Sequence, residues 1–145
     1  MSTKQALNVN KVTPTVPQMA GSVHTQLLTF AITAAYTAAT DVIEMGALPA
    51  NCRLTGVDLL TSGIAATATV DVGFLTGEYG DKLNARTGDA TLISAAAKNG
   101  AASASIATLA GLSGSGVDRG IGVKLSANEA AGSGVITLRL NYVAA

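Results

Sequence analysis

The 145-residue sequence has no tryptophan, one cysteine and one histidine, and few of its residues are charged. Cys52 alone cannot form an internal disulfide or a thiolate cluster for zinc, and His24 alone excludes any site with two histidine ligands. Nine basic residues are scattered among nine acidic ones, so the basic patch of a nucleic-acid-binding protein is missing. We therefore expect no nucleic-acid partner and none of these metal or redox centres.

Long hydrophobic runs are absent as well. The first fifteen residues are polar and lack the apolar core of a signal peptide. No run reaches the roughly 18 apolar residues that a membrane-spanning helix needs. We therefore expect neither secretion nor a membrane partner.

The apolar residues that are present are small. Hydrophobic residues make up 48% of the sequence, but aromatic residues make up only 3%, and alanine contributes heavily. Because alanine buries little apolar area, the single domain predicted by this length has a thin core. Charged residues account for 12% and the net charge is zero, so repulsion between copies is weak. This composition favours contact with other protein over binding of a charged ligand.

Three short strands joined by two turns form the centre of the predicted fold. Pro49 separates the first two, because proline fixes its own φ and biases the preceding residue away from helix. The apolar phase of the second strand changes at Gly56, which we interpret as a β-bulge; burial on both faces is the alternative. The third strand alternates as a half-buried strand does. These strands are Asp41–Gly46, Cys52–Leu60 and Ala68–Thr76, with a loop at Thr61–Ala66.

Three further segments alternate between apolar and polar or small residues and are predicted strands. They are His24–Thr33, Arg119–Ser126 and Val135–Val143. In the second of them, Gly120 and Gly122 are predicted to face outward.

Three other segments are less regular. Gly77–Gly88 is the most charged stretch and is predicted to be an exposed loop. Asp89–Asn99 is predicted to be a short helix that begins at an aspartate N-cap, and a strand at Ala90–Ser94 is the alternative. Ala101–Leu112 alternates like a weak strand in its first half, but its alanine content also suits a helix.

Six to eight short strands with at most one short helix predict an all-β fold, a two-sheet antiparallel sandwich. This domain is expected to span residues 23–145. Residues 1–22 are polar, contain Pro14 and Pro17, and are predicted to form an extended N-terminal arm. The arm is either a disordered terminus or a segment that orders on a neighbouring subunit or scaffold.

Candidate catalytic residues are few, and each has a simpler structural explanation. His24 would have to serve any Ser-His-Asp triad, but it opens an alternating strand and is interpreted as an exposed or interface residue. Arg53 beside Cys52 could lower the pKa of the thiol, but neighbouring strand residues point to opposite faces. A buried core thiol is the better interpretation of Cys52.

The acidic residues do not form a recognisable site either. Glu78, Asp81 and Asp89 could offer oxygen ligands to calcium, but their spacing matches no known ligand loop. Lys82 and Arg86 offset their charge, so a solvated loop is the preferred interpretation.

The remaining candidates are two strand aspartates and one tyrosine. Asp58 and Asp71 could approach each other across paired strands as glycosidase carboxylates, but a sugar site also needs flat apolar faces, and tryptophan is absent. Tyr79, in the charged loop, could be a contact residue. We predict no catalytic, cofactor-binding or metal-binding residues, no cofactor, and no enzymatic activity.

Two parts of the sequence resemble a known family. The first is Asp41–Ala50, with its turn Met45–Ala50, followed by the strands at 53–60 and 68–75; the second is Asp118–Leu125 followed by Gly134–Val143. Both resemble the jelly-roll capsid decoration (cement) proteins of tailed bacteriophages. The resemblance covers roughly residues 24–143 and rests on strand rhythm, turn and composition.

The resemblance implies a homotrimer of jelly rolls that sits on the outside of the capsid and bridges neighbouring major capsid subunits. Such a protein is made in the host cytoplasm, belongs to the virion and has no catalytic residues. The alternatives are another virion component, such as a head-fibre base, tail or adaptor subunit, and a carbohydrate- or cell-surface-binding module.

Overall fold

A computed structural model describes residues 3–6, 22–65, 67–82, 85–132 and 134–144. Within these ranges the chain forms nine β-strands and one short helix. The elements are β1 (Thr3–Gln5), β2 (His24–Ala31), β3 (Val42–Leu48), β4 (Cys52–Ser62), β5 (Thr69–Phe74), β6 (Ile93–Ala97), β7 (Ala101–Ser103), α1 (Ile106–Ala110), β8 (Arg119–Leu125) and β9 (Val135–Ala144).

The strands form two sheets with the order of a jelly roll. One sheet has the order β1-β3-β8-β5-β6, and the other has the order β2-β9-β4-β7. β2 pairs with β9, β3 with β8, β4 with β7 and β5 with β6, all antiparallel, as in one long hairpin rolled into two layers. The predicted all-β sandwich of jelly-roll type is confirmed.

The predicted bulge in the second central strand is also confirmed. The register of β4 against β9 shifts between Leu54 and Gly56. An extra residue reverses the face to which the following side chains point. Leu54, Val57 and Leu59 are therefore all buried, whereas Leu60 is 53% exposed. The strand also continues to Ser62, into the segment predicted as a loop.

The helix predicted at Asp89–Asn99 is wrong, and the strand alternative is nearer to the structure, with β6 at Ile93–Ala97. Asp89 does not cap a helix. Its Oδ1 accepts hydrogen bonds from the amides of Phe74 and Thr91, both at 3.0 Å. The amide of Leu92 donates to the carbonyl of Val72 at 3.0 Å, which ties the segment to the sheet.

The ambiguous segment Ala101–Leu112 contains both structures that its sequence allowed. β7 occupies its first three residues, and α1 begins after Ser105, whose Oγ accepts a hydrogen bond from the amide of Thr108 at 3.1 Å. The helix ends at Ala110, and Gly111 is its C-cap.

Part of the predicted N-terminal arm lies within the described residues. Thr3–Gln5 form β1, which pairs in parallel with β3 at the edge of the five-stranded sheet, and Ala6 is buried. Residues 1–2 and 7–21, which make up the rest of the predicted arm, lie outside the described residues.

The core fills the space between the two sheets with aliphatic side chains and two buried tyrosines, Tyr36 and Tyr142. The hydroxyl of Tyr36 donates to the carbonyl of Asp41 at 3.0 Å and accepts from the amide of Leu125 at 3.1 Å. Burial raises the pKa of Tyr36. One tyrosine therefore satisfies two backbone groups in an otherwise apolar layer.

Candidate interaction surface

The outer face of the five-stranded sheet is covered around β8 by the chain itself. Gly120 and Gly122 face outward as predicted, but both are buried, because Arg86 and Leu75 lie over them. A Cβ atom added at Gly122 would lie 2.6 Å from Cδ2 of Leu75 and 2.8 Å from the carbonyl oxygen of Ile43. Glycine is needed here for close approach, and the part of this face around β8 is closed to partners.

A buried ion pair fixes the covering segment. The carboxylate of Glu44 in β3 and the guanidinium of Arg86 form a salt bridge in which both side chains are fully buried. Arg86 Nε donates to the carbonyl of Thr76 at 2.7 Å, and the Gly80 amide donates to Glu44 Oε1 at 2.9 Å. The interpretation of Arg86 as a solvated loop charge is therefore wrong: it anchors the loop to the sheet.

The four-stranded sheet has an outer face that the described chain leaves uncovered. We call this the open face; it consists of the outward residues of β2, β9, β4 and β7. Leu27, Leu60 and Val135 on it are 70%, 53% and 38% exposed. The outward residues are Thr25, Leu27, Thr29 and Ala31; Val135, Thr137, Arg139, Asn141 and Val143; Arg53, Thr55, Asp58, Leu60 and Ser62; and Ala101 and Ser103.

Two charged groups of the open face, Asp58 and Arg139, neutralise each other, whereas Arg53, exposed on β4, adds a further positive charge. Arg139 Nε donates to Asp58 Oδ2 at 2.8 Å across β9 and β4, and Ser103 Oγ donates to Asp58 Oδ1 at 2.7 Å. The hydrogen bond from Ser103 and those from Arg139 lower the pKa of Asp58. Thr25 Oγ1 donates to Asn141 Oδ1 at 2.8 Å. Apart from Arg53, the face therefore presents largely paired polar groups around exposed apolar ones.

Exposed apolar side chains are concentrated on this side of the molecule. Of the six large hydrophobic side chains that are exposed among the described residues, five lie on the four-stranded sheet or next to it. They are Val23, Leu27, Leu60, Val135 and Ile106, the last of which is 86% exposed on α1, beside β4. The sixth, Val117, lies in the loop after α1. A concentration of this kind is typical of a protein–protein contact.

Neither the candidate nucleophile, Cys52, nor the candidate base, His24, has the surroundings of a catalytic residue. Cys52 is fully buried, as predicted, and burial and the nearby charge of Asp118 raise the pKa of its thiol, the opposite of activation. His24 is half-buried, and its ring centroid lies 5.9 Å from that of Tyr142. Both lie near Tyr142, but among the described residues no hydrogen bond joins the thiol to the imidazole.

The candidate carboxylates are likewise separate. Asp58 lies in the four-stranded sheet and Asp71 in the five-stranded sheet, where it accepts a hydrogen bond from the amide of Ala95 at 2.7 Å. Across the described ranges, no three His, Cys, Asp or Glu side chains cluster closely enough to hold a metal ion.

Tyr79 is half-buried against the core. In the part of the chain that the structure describes, no helix has the length and apolar character to span a membrane.

The fold as a whole matches a solved phage structure. A chain from the capsid of Ralstonia phage GP4 superposes with a TM-score of 0.86 and 28% sequence identity, over 99% of this chain and 98% of that one. The chain is similar to a phage capsid chain along its whole length. No family model and no curated protein matches the sequence.

Two other phage capsid structures share the fold at lower identity. A chain of the cyanophage Pam1 capsid matches with a TM-score of 0.59 and 20% identity, covering 97% of this chain and 99% of that one. A chain of the acid-stable capsid of Helicobacter pylori bacteriophage KHP30 matches with a TM-score of 0.51 and 16% identity, covering 86% and 90%.

Proposed function

We propose that this protein binds the outside of a tailed-phage capsid as an oligomer and stabilises the shell by bridging neighbouring major capsid subunits. The observation that carries the proposal is the end-to-end similarity to a chain of the GP4 capsid. That similarity supports a structural role in the virion; the exterior position, the bridging and a homotrimeric state are the further steps that we propose.

The open face is the surface that we assign to these contacts. Its exposed leucines can be buried against a partner, and its only described ion pair is already satisfied within the protomer. Burying a paired, hydrogen-bonded charge costs less than burying a lone one, so the part of the face around Asp58 and Arg139 can be covered by protein without stranding a charge. Apolar contact there also suits a partner at physiological salt, since screening does not weaken it.

The proposed mechanism is mechanical. A shell that contains packaged DNA fails at the junctions between its subunits, and a protein that straddles a junction must detach before the junction opens. Each copy adds its binding free energy to the barrier, so many modest contacts stabilise the shell without any chemistry. Asp58 and Asp71 make hydrogen bonds within the fold and Cys52 is buried, which supports a non-enzymatic role.

A binding experiment with matched variants tests the assignment. Particles of the encoding phage from which this gene has been deleted are mixed with purified protein and sedimented. Leu27→Asp places a charge in the open face, whereas Val117→Asp places the same charge at a similarly exposed position, 67% against 70%, away from the face. We expect wild type and Val117→Asp to sediment with the particles and Leu27→Asp to bind at least tenfold more weakly.

Two kinds of result would contradict the proposal. Equal binding of both variants would remove the open face from the contact. Failure of the wild-type protein to bind deletion particles, or unchanged thermal release of DNA from those particles when it binds, would overturn the proposed function itself.

A further inference from the structure

The first strand is held at the edge of β3 by side chains as well as by the backbone. Lys4 Nζ lies 3.4 Å from Asp41 Oδ2, and Gln5 Nε2 donates to Glu44 Oε1 at 3.0 Å and to the carbonyl of Gly80 at 3.1 Å. The amide of Ala6 continues the ladder by donating to the carbonyl of Glu44 at 2.8 Å. Three successive residues, Lys4, Gln5 and Ala6, therefore each make a separate contact at one sheet edge.

The receiving groups are positioned by residues outside β1. Glu44 is fixed by Arg86 and by the amide of Gly80, and Asp41 Oδ2 accepts from the amide of Thr37 at 3.0 Å. The edge of β3 is thus a preformed acceptor for an extended segment in parallel orientation, with backbone groups that give affinity and two carboxylates that give specificity.

The connection between β1 and β2 is much longer than the path within one protomer. β2 lies beside β3 in the opposite sheet, where Gln26 Nε2 donates to the carbonyl of Ala47 at 3.1 Å. Ala6 bonds to Glu44, and Ser22 lies four residues before Gln26, so with sheets about 10 Å apart and a rise of about 3.3 Å per residue the direct path from Ala6 to Ser22 is roughly 20–25 Å. Fifteen residues, 7–21, join them, and they can span about 50 Å when extended.

We propose that the edge of β3 receives residues 3–6 of a second copy of this chain, so that neighbouring copies in the oligomer exchange their first strands. Every contact described above is preserved in the exchange, because an identical segment meets an identical acceptor. Arranged head to tail, such contacts close into a ring, in which Gln5 of one copy completes the buried cluster of Glu44 and Arg86 in the next. The proposal rests on the oligomeric state in the proposed function.

Crosslinking between two tagged forms tests the exchange. Lys4→Cys on one form and Thr40→Cys on the other place thiols on either side of the contact between Lys4 and Asp41. Lys4 is half-buried at the sheet edge and Thr40 is exposed, so neither change alters a core side chain. The two forms are co-expressed with different tags, purified through both, and treated with a short bis-maleimide. The native thiol, Cys52, is buried and reacts slowly.

The expected product is a covalent pair of the two forms, at about twice the 14.4 kDa chain mass, in most of the sample. Ser94→Cys, on β6 at the opposite edge of the same sheet, replaces Lys4→Cys in the control and should give little of this product. A chain that carries both Lys4→Cys and Thr40→Cys should also link to its neighbours rather than to itself.

Mass by light scattering separates this proposal from the proposed function. An oligomer in which the doubly substituted chain closes only on itself, and the mixed forms do not link, would overturn strand exchange and leave the capsid role untouched. A protein that is monomeric throughout would overturn both the exchange and the oligomeric state in the proposed function, whereas binding to the capsid is decided by the sedimentation experiment.

Discussion

Replacing Arg86 by methionine removes the charge of the buried ion pair while keeping most of the side-chain stem. The Glu44 carboxylate then remains fully buried, with Gln5 and the Gly80 amide as its described hydrogen-bond donors. The carbonyl of Thr76 loses the donor that Arg86 Nε supplies at 2.7 Å. The perturbation therefore leaves an uncompensated charge inside the protein and releases the segment that covers the five-stranded sheet.

Breaking a buried ion pair by removing one partner typically costs about 3–5 kcal/mol. That is a large part of the roughly 5–15 kcal/mol that holds an ordinary domain together. Arg139→Met is the matched control, because Arg139 also pairs with a carboxylate, that of Asp58, but with side-chain exposures of 53% and 35%. An exposed pair of this kind is worth about 0.2–1 kcal/mol.

Urea unfolding at neutral pH measures both variants. With a slope of about 2 kcal/mol per molar urea, Arg86→Met should lower the midpoint by about 2 M, and Arg139→Met by less than about 0.5 M. The doubly substituted Glu44→Gln, Arg86→Met protein should be more stable than the sum of the single changes predicts, since it buries no unpaired charge. Equal, small shifts for Arg86→Met and Arg139→Met would refute the reasoning.

Two further predictions concern the close approach over β8 and the polar groups of the open face. Gly122→Ala should lower the free energy of unfolding in urea by about 1–3 kcal/mol, because the added Cβ meets Leu75 and backbone at 2.6–2.8 Å. Gly116→Ala is the control: its added Cβ would have nothing within 4 Å, so the free energy of unfolding should change little. Equal effects of the two substitutions would contradict the packing argument. The pKa of Asp58 is lowered by the hydrogen bond from Ser103, so its stabilising contribution is present above the unfolded value of about 3.9 and is lost as the pH falls through the lower folded value. A carboxyl titration by NMR should show Ser103→Ala raising the pKa of Asp58, and no change would contradict this assignment.

The sandwich was predictable because most of its strands carry their own local signal. Alternation in β2, β5 and β9 places apolar side chains on one face, and the broken phase at Gly56 marks the bulge in β4. The order of strands within each sheet depends on pairings between segments that can be more than a hundred residues apart, such as β2 with β9. No local pattern encodes such pairings, so the jelly-roll order came from the family resemblance alone.

The burial of Arg86 against the outer face of the five-stranded sheet was not predictable from local pattern. Gly77–Gly88 has the composition of a solvated loop, and Arg86 is buried only because Glu44, 42 positions earlier in the sequence, lies beneath it. One signal was available: Glu44 is the single charge in β3, a strand in which every residue is buried. A lone acid in such a strand requires a partner.

The error at Asp89–Asn99 has a related cause. An aspartate before a run of helix-compatible residues suits an N-cap, but the same carboxylate can accept amides from a neighbouring strand, as it does from Phe74. Pairing of Ile93–Ala97 with β5 then outweighs the helical preference of alanine.

The central claim is that this protein is a component of the outer surface of a phage capsid. Its most direct test is quantitative mass spectrometry of purified virions of the encoding phage, after labelling the intact particles with a reagent that modifies lysines and cannot enter them. The account predicts peptides of this chain in a fixed ratio to the major capsid protein, with its lysines labelled in intact particles. Absence of the chain from purified virions, or labelling only after the shells are opened, would contradict it.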